Sequence, residues 1–138
     1  MKINQIADVE REIKTRSTPE ADHEIAWELG DEHHVTHGNK ESIAVKSNND
    51  NWVVHTHPVD EPSEFSALPS EQDLRTLADN QEIPGIVIIS GDYYTILRRS
   101  KENISVVGYN DALYSNDIEK ILMKLRNMGF EVKIGSMR

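Results

Sequence analysis

Two histidines that lie two positions apart, His55 and His57, are the residues of this sequence best suited to chemistry. They belong to the stretch NWVVHTHP at 51–58, which is typical of a strand. Residues two apart in a strand point to one face, with Cα atoms roughly 6.5–7 Å apart. Both imidazoles can therefore converge on one zinc ion at about 2.0–2.1 Å. Pro58 favours extended geometry at His57 and ends the strand, which leaves the pair at an exposed strand end.

A third ligand is available in the segment SEQD at 70–73, which precedes an apolar helical pattern. Ser-x-x-Asp approximates a capping box, an explanation that needs no metal. Six histidines in the chain also give a spacing of two by chance, so the pair alone is weak evidence. If the start of the helix faces the histidine strand, Asp73 becomes the third ligand. Two histidines and one aspartate leave the fourth position for water, as catalytic zinc sites do.

Composition narrows the class of protein. The 138 residues fit one domain, spanning 1–138, and no apolar run approaches the roughly 20 residues that cross a bilayer. The N-terminus has no uninterrupted apolar block typical of a signal peptide, so we expect a cytoplasmic protein with no membrane partner. The absence of cysteine excludes thiolate ligands and cysteine nucleophiles. A net charge of −9 argues against a nucleic-acid partner.

Hydrophobic periodicity predicts a mixed α/β (α+β) domain, with a curved, mostly antiparallel sheet flanked by helices. The last strands are predicted in PGIVIIS, as a central strand buried on both faces, and in YYTILRR, ISVVGY and FEVKI. Helices are predicted at 3–16, 70–78 and 116–128, and earlier strands near 24–29, 33–37, 42–46 and 52–57.

The two segments together resemble the motif of the JAMM (MPN-plus) zinc metalloproteases, which is an upstream glutamate, then H-[S/T]-H-P, then S-x-x-D. In this sequence HTHP at 55–58 and SEQD at 70–73 match it. The resemblance covers about residues 20–100. It implies the JAMM/MPN architecture, which is similar to that of cytidine deaminases. It also implies a Zn²⁺ ion held by His55, His57 and Asp73.

The motif further implies a glutamate on the first strand of the sheet. Glu24 and Glu28 both fit, and Glu24 is preferred because the family's glutamate comes early in a strand that a glycine closes. Glu20, in the preceding loop, is a third alternative. In the mechanism that the resemblance implies, zinc-activated water attacks an amide and Glu24 acts as general base. The Ser70 hydroxyl would donate to the oxyanion.

Amide hydrolysis by such a site leaves several substrates open. The resemblance implies an isopeptidase that removes a ubiquitin-like modifier from a protein substrate. Cleavage of ordinary peptide bonds, or trimming of a sulfur-carrier protein's C-terminus, fits equally well. A non-catalytic MPN-like scaffold or binding module is the main alternative, and a RadC-type or phage-associated protein is another. A zinc deaminase is excluded by the missing P-C-x-x-C cysteines.

The loop at 58–69 is longer than in compact members of the family. It carries three acids together with Phe65 and Leu68. A flap or wall over the substrate channel and a passive surface loop are both consistent with this composition. The residues give no indication of the oligomeric state.

Overall fold

The computed structural model describes residues 6–14, 25–28, 31–37, 52–81 and 83–137, and for 25–28 and 31–37 it describes the backbone only. The helices and strands within these ranges alternate irregularly along the chain. They are α1 Ile6–Lys14, β1 Ile25–Glu28, β2 Asp31–His37, β3 Val53–Thr56, α2 Glu71–Asp79, β4 Ile86–Ser90, β5 Tyr93–Arg99, α3 Tyr109–Tyr114, α4 Ile118–Met128 and β6 Phe130–Ser136.

The strands form one six-stranded sheet in the order β2-β1-β3-β4-β5-β6. β3 and β4 run parallel, whereas every other neighbouring pair is antiparallel. β4 lies inside the sheet and all five of its residues are buried, as predicted from its apolar run. The prediction of a mixed α/β domain with a mostly antiparallel sheet is confirmed. The finer JAMM/MPN architecture stays a prediction.

Alternate residues of each strand point to opposite sides of the sheet, so apolar side chains lie on both faces. Helices cover both of these faces. On one face, Val9 and Ile13 of α1 join a buried cluster with Trp52. On the other face, Leu74 and Leu77 of α2 pack into a larger cluster that also includes residues of α3 and α4. Both sides of the central strands are thereby removed from water, which accounts for their near-continuous apolar sequences.

The connection from β3 to β4 positions the candidate site. Parallel neighbours cannot be joined by a tight turn, so the chain crosses over through residues 57–85, which include α2. In a crossover of this kind the helix runs back against the strands. Its first turn therefore lies near the carboxyl end of the preceding strand, where His57 follows β3 directly.

One predicted strand is wrong. The segment ISVVGY at 104–109 has alternating apolar residues, yet residues 103–106 have no regular structure, a turn follows at 107–108, and α3 begins at Tyr109. Ile104 and Val106 are partly buried against the larger cluster. Their spacing therefore reflects packing of an irregular segment on the core rather than strand pairing.

The remaining predicted elements agree with the structure within a few residues at their ends. The strand predicted at 42–46 lies outside the described residues. In the described part of the chain, no helix is both long enough and apolar enough to span a membrane.

Candidate metal centre

β3 holds both histidines through its pairing with β4. His55 lies in β3 opposite Ile88 and is only 4% exposed. His57 follows the strand, but its backbone N–H donates to the carbonyl oxygen of Ile89 at 2.9 Å and so extends the ladder. The two imidazole rings consequently lie side by side, with centroids 5.0 Å apart.

The N-terminal cap of α2 places Asp73. The Ser70 hydroxyl accepts a hydrogen bond of 3.1 Å from the Asp73 N–H. In return, Oδ2 of Asp73 accepts a hydrogen bond of 2.8 Å from the Ser70 N–H. This reciprocal pair is the capping box that the sequence predicted, and it fixes the carboxylate at the first turn of the helix.

The carboxylate of Asp73 meets the histidine pair. Its Oδ1 lies 3.2 Å from Nε2 of His55, and its Oδ2 lies 3.3 Å from Nε2 of His57. One ligand atom from each of the three residues lies within 4.8 Å of the others. Two ligands of a tetrahedral zinc ion with bonds of about 2.05 Å stand about 3.3 Å apart. These separations therefore suit one ion between the three side chains. The role of Asp73 in the helix cap is compatible with a role as a metal ligand.

The ring of His57 has a second contact that favours ligation through Nε2. Its Nδ1 lies 3.1 Å from the carbonyl oxygen of Ser66. A carbonyl oxygen only accepts, so this contact is a hydrogen bond when Nδ1 carries the ring proton. Nε2, on the side of Asp73, is then the ring nitrogen that is left to bind a metal ion. Metal-ligating histidines typically donate their other N–H in this way.

The ring of His55 differs in this respect. Its Nδ1 is buried and has no hydrogen-bond partner among the residues that the structure describes. The orientation of this ring therefore follows, within the described residues, from the burial of β3 and from the contact of Nε2 with Asp73.

Asp73 carries its charge at neutral pH. Burial by itself raises the pKa of a carboxyl group. Hydrogen bonds from His55 and His57, together with their charges, outweigh that effect and hold the pKa of Asp73 well below its ordinary range. The ionised carboxylate is the form that binds a metal, so the protonation state of Asp73 fits the predicted role.

α3 supports the start of α2 on both sides of Ser70. Tyr109 is fully buried and its hydroxyl donates to the carbonyl oxygen of Pro69 at 2.6 Å. Nδ2 of Asn110 donates to Oε2 of Glu71 at 2.7 Å. Burial, and then the negative charge of Asp73, raise the pKa of Tyr109, which keeps the phenol protonated as a donor.

The predicted general base, Glu24, lies outside the described residues, as does the third alternative, Glu20. Beside the histidines, β1 runs antiparallel to β3 and places Ala26 opposite His55. The strand that was expected to carry the glutamate is therefore the neighbour of the histidine strand.

The alternative base, Glu28, has a described backbone position. It pairs with Val53, at the end of β3 remote from His57. This register disfavours Glu28 as the group that acts beside His57.

Sequence reasoning missed three residues that support the ligands, namely Ser66, Ser90 and Tyr109. Each of them acts on a residue that is distant in sequence, at separations of 9, 33 and 40 residues. No local pattern marks such residues. The unusual length of the 58–69 loop was the one signal that pointed near Ser66.

Comparison of this chain with protein-family models, curated proteins and solved structures finds no match. The argument for function therefore depends on the geometry of His55, His57 and Asp73.

Proposed function

We propose that this protein is a zinc-dependent hydrolase of amide bonds. The observation that carries the proposal is the convergence of His55 Nε2 and His57 Nε2 on the carboxylate of Asp73. Three protein ligands leave one coordination position for water or substrate, which is typical of catalytic zinc. When bound, zinc would supply a Lewis acid and a water acidic enough to react at neutral pH.

The exposure of the three side chains supports a catalytic rather than a structural role. His55 is 4% exposed, Asp73 14% and His57 18%, so the group opens towards solvent on the side of His57. Structural zinc sites are closed by four protein ligands. Within the described residues, the group has three members and no fourth His, Cys, Asp or Glu.

The proposal gives Glu24 the role of general base. This role requires the carboxylate of Glu24 to reach the metal centre beside β3, the strand with which β1 pairs. A carboxylate there would take a proton from the attacking water and deliver it to the leaving amine.

Ser70 is proposed as the donor to the substrate's carbonyl oxygen. Its hydroxyl oxygen accepts the capping hydrogen bond from the Asp73 N–H, so that bond does not use the hydroxyl proton. The residue is exposed at the start of α2. A proton donated to the oxygen that gains negative charge lowers the barrier, and loss of such a donor typically reduces turnover by about 10²–10³.

Isopeptide bonds between a ubiquitin-like modifier and a lysine are the substrate class that the JAMM resemblance favours. Ordinary peptide bonds need the same chemistry and are the alternative substrate. The C-terminal tail of a modifier would bind as an extended strand, a mode that uses a sheet edge. β2 is an edge strand of the described sheet.

Metal content is the first test. Protein purified without chelators should contain about one zinc per chain, measured by mass spectrometry of the metal. His57→Ala and Asp73→Asn should contain only traces, whereas Glu64→Gln, at an exposed loop position, should match the wild type. Two histidines and a carboxylate also suit Fe(II). Iron in place of zinc would therefore contradict the proposal.

Hydrolysis is the second test, with a modifier–lysine conjugate and an unmodified peptide as substrates. Glu24→Gln should retain zinc but lose turnover by about 10²-fold or more. Glu28→Gln is the matched control on the same strand and should retain turnover. If the zinc-loaded protein cleaves neither substrate, the protein is a non-catalytic metal-binding module and the enzyme proposal fails.

A further inference from the structure

We propose that Ser66 and Ser90 are positioning residues that hold the ring of His57 in the orientation required of a metal ligand. Neither belongs to the ligand set. Ser66 lies in the 58–69 loop, and Ser90 is the last residue of β4. The inference rests on the metal centre of the proposed function and adds the residues that prepare it.

In addition to the contact of its Nε2 with Asp73, three contacts hold His57. Its N–H donates to the carbonyl oxygen of Ile89 at 2.9 Å. Its carbonyl oxygen accepts a hydrogen bond of 2.8 Å from the Ser90 hydroxyl. Its ring Nδ1 lies 3.1 Å from the carbonyl oxygen of Ser66. β4 therefore fixes the backbone of His57 on both sides, and the loop fixes the ring.

The two serine hydroxyls join these contacts into one network. They lie 2.8 Å apart, and the Ser66 oxygen accepts from the Ser63 N–H at 2.9 Å. Each hydroxyl has a single proton. When the Ser90 hydroxyl donates to the carbonyl oxygen of His57, the Ser66 hydroxyl donates to the Ser90 oxygen. The Ser63 carbonyl oxygen, 2.9 Å from the Ser66 oxygen, is the other acceptor within reach.

Burial makes this network effective. Ser90 is 1% exposed, so its hydroxyl cannot exchange its protein partners for water without opening the loop. Ser66 is half-buried on the inner side of the loop, and its backbone carbonyl can face the imidazole only while the loop keeps its position. Ser90, at the end of β4, therefore contacts both the loop, through Ser66, and the backbone of His57.

The 58–69 loop consequently has two different sides. Its inner side carries the Ser66 contacts, whereas Val59 and Phe65 on the outer side are 49% and 41% exposed. Pro62 packs on the β4–β5 turn so closely that a Cβ at Gly91 would lie 2.5 Å from the Pro62 Cβ. The loop, expected from sequence to be a flap or a passive connection, is part of the support of a metal ligand.

Loss of this support has a specific consequence. Without the Ser66 acceptor the imidazole can rotate about its side-chain torsions, and Nε2 then no longer stays directed at the position between His55 and Asp73. Replacement of groups that orient ligating histidines typically lowers metal affinity by about 10- to 100-fold. We expect this loss in Ser90→Ala and Ser66→Ala.

The test has two readouts. Zinc affinity is measured by competition with a chromophoric chelator, and the hydrogen bond from the Nδ1–H of His57 is measured in metal-free protein by the exchange of that proton with solvent in ¹H–¹⁵N NMR spectra at fixed pH. In the wild type the Nδ1 proton should exchange slowly, and in both serine variants it should exchange faster. Thr95→Val is the matched control, since Thr95 Oγ1 is equally buried but has no hydrogen-bond partner among the described residues. Circular dichroism establishes that each variant is folded.

The outcomes are separable from those of the proposed function. If the wild type binds no metal, the zinc proposal fails, while exchange of the Nδ1 proton still tests the network. If the wild type binds zinc and the serine variants keep its affinity and its slow exchange, the positioning role is wrong. Equal losses in Thr95→Val would also overturn it. Ser66→Ala, at the more exposed position, keeps the test decisive if Ser90→Ala does not fold.

Discussion

The hydroxyl of Tyr109 donates a hydrogen bond of 2.6 Å to the carbonyl oxygen of Pro69, although 40 residues separate them in the chain. Pro69 directly precedes Ser70, the N-cap of the helix that carries Asp73. A buried phenol in α3 therefore controls how the chain enters α2. Through that entry it controls where the carboxylate ligand stands.

Tyr109→Phe should weaken both the fold and the metal site. The substitution keeps the ring but leaves a buried carbonyl oxygen without its donor, which costs about 1–3 kcal/mol. Zinc affinity should fall several-fold because the start of α2 becomes less fixed. Urea unfolding in the presence of a chelator gives the first quantity, and chelator competition gives the second.

Tyr114→Phe is the control for this prediction, because Tyr114 is 86% exposed on the same helix. It should change the free energy of unfolding by less than about 0.5 kcal/mol. Wild-type zinc affinity in Tyr109→Phe would show that Asp73 keeps its place without the phenol.

Asp73 has two tasks, and a pair of variants should separate them. In Asp73→Asn, the amide oxygen can still accept from the Ser70 N–H, but the charge that attracts a metal is gone, so zinc content should fall to traces. Ser70→Ala should lose about 1 kcal/mol of stability through the cap yet retain zinc. Metal analysis and urea unfolding in chelator measure the two effects. Full zinc content in Asp73→Asn would remove Asp73 from the ligand set.

Glu10 should make the fold sensitive to acid. Burial raises its pKa, but hydrogen bonds from Lys133 and Tyr94, with the charges of Lys133 and Lys14, lower the pKa below its ordinary value. The folded protein therefore binds the proton less tightly than the unfolded chain. The stabilisation is complete above about pH 5 and is lost as the pH falls through the folded pKa.

Glu10→Gln tests this assignment. Urea unfolding at several values between pH 7 and pH 3 should show a smaller loss of stability on acidification than in the wild type. In Lys133→Met, which removes the partner at 2.7 Å, the acid sensitivity due to Glu10 should also shrink. Parallel curves for the wild type and Glu10→Gln would show that this carboxylate contributes nothing to the pH dependence.

The three candidate ligands could be selected from the sequence because their signals are local. The spacing of His55 and His57 follows the period of a strand, and Ser70 with Asp73 follows the start of a helix. Their meeting depends on the parallel pairing of β3 with β4, which was not predicted from the sequence.

The supporting residues could not be predicted for the opposite reason. Arg99, the last residue of β5, is an example. In the structure its guanidinium donates to four backbone carbonyl oxygens around the end of α2. Those acceptors lie 16 to 22 residues earlier and have no side-chain signature. Ser66 and Ser90 were not predicted for the same reason.

The last prediction concerns Gly91, which has a backbone φ of +59° in the β4–β5 turn. Gly91→Ala introduces strain of about 1–2 kcal/mol from that conformation, and its Cβ would meet the Cβ and Cγ of Pro62 at 2.5 and 2.6 Å. The ring of Pro62 cannot give way without moving the 58–69 loop. Zinc affinity should therefore fall, although Gly91 offers the metal no ligand.

Gly129→Ala provides the matched control for the strain. Gly129 also has a positive φ, of +115°, but it ends α4, and its added Cβ would meet the flexible side chain of Lys101. Both variants should lose stability in urea, whereas zinc affinity should fall in Gly91→Ala alone, because only that substitution displaces the loop whose Ser66 carbonyl faces His57. Unchanged zinc affinity in Gly91→Ala would mean that the position of the loop does not govern the imidazole.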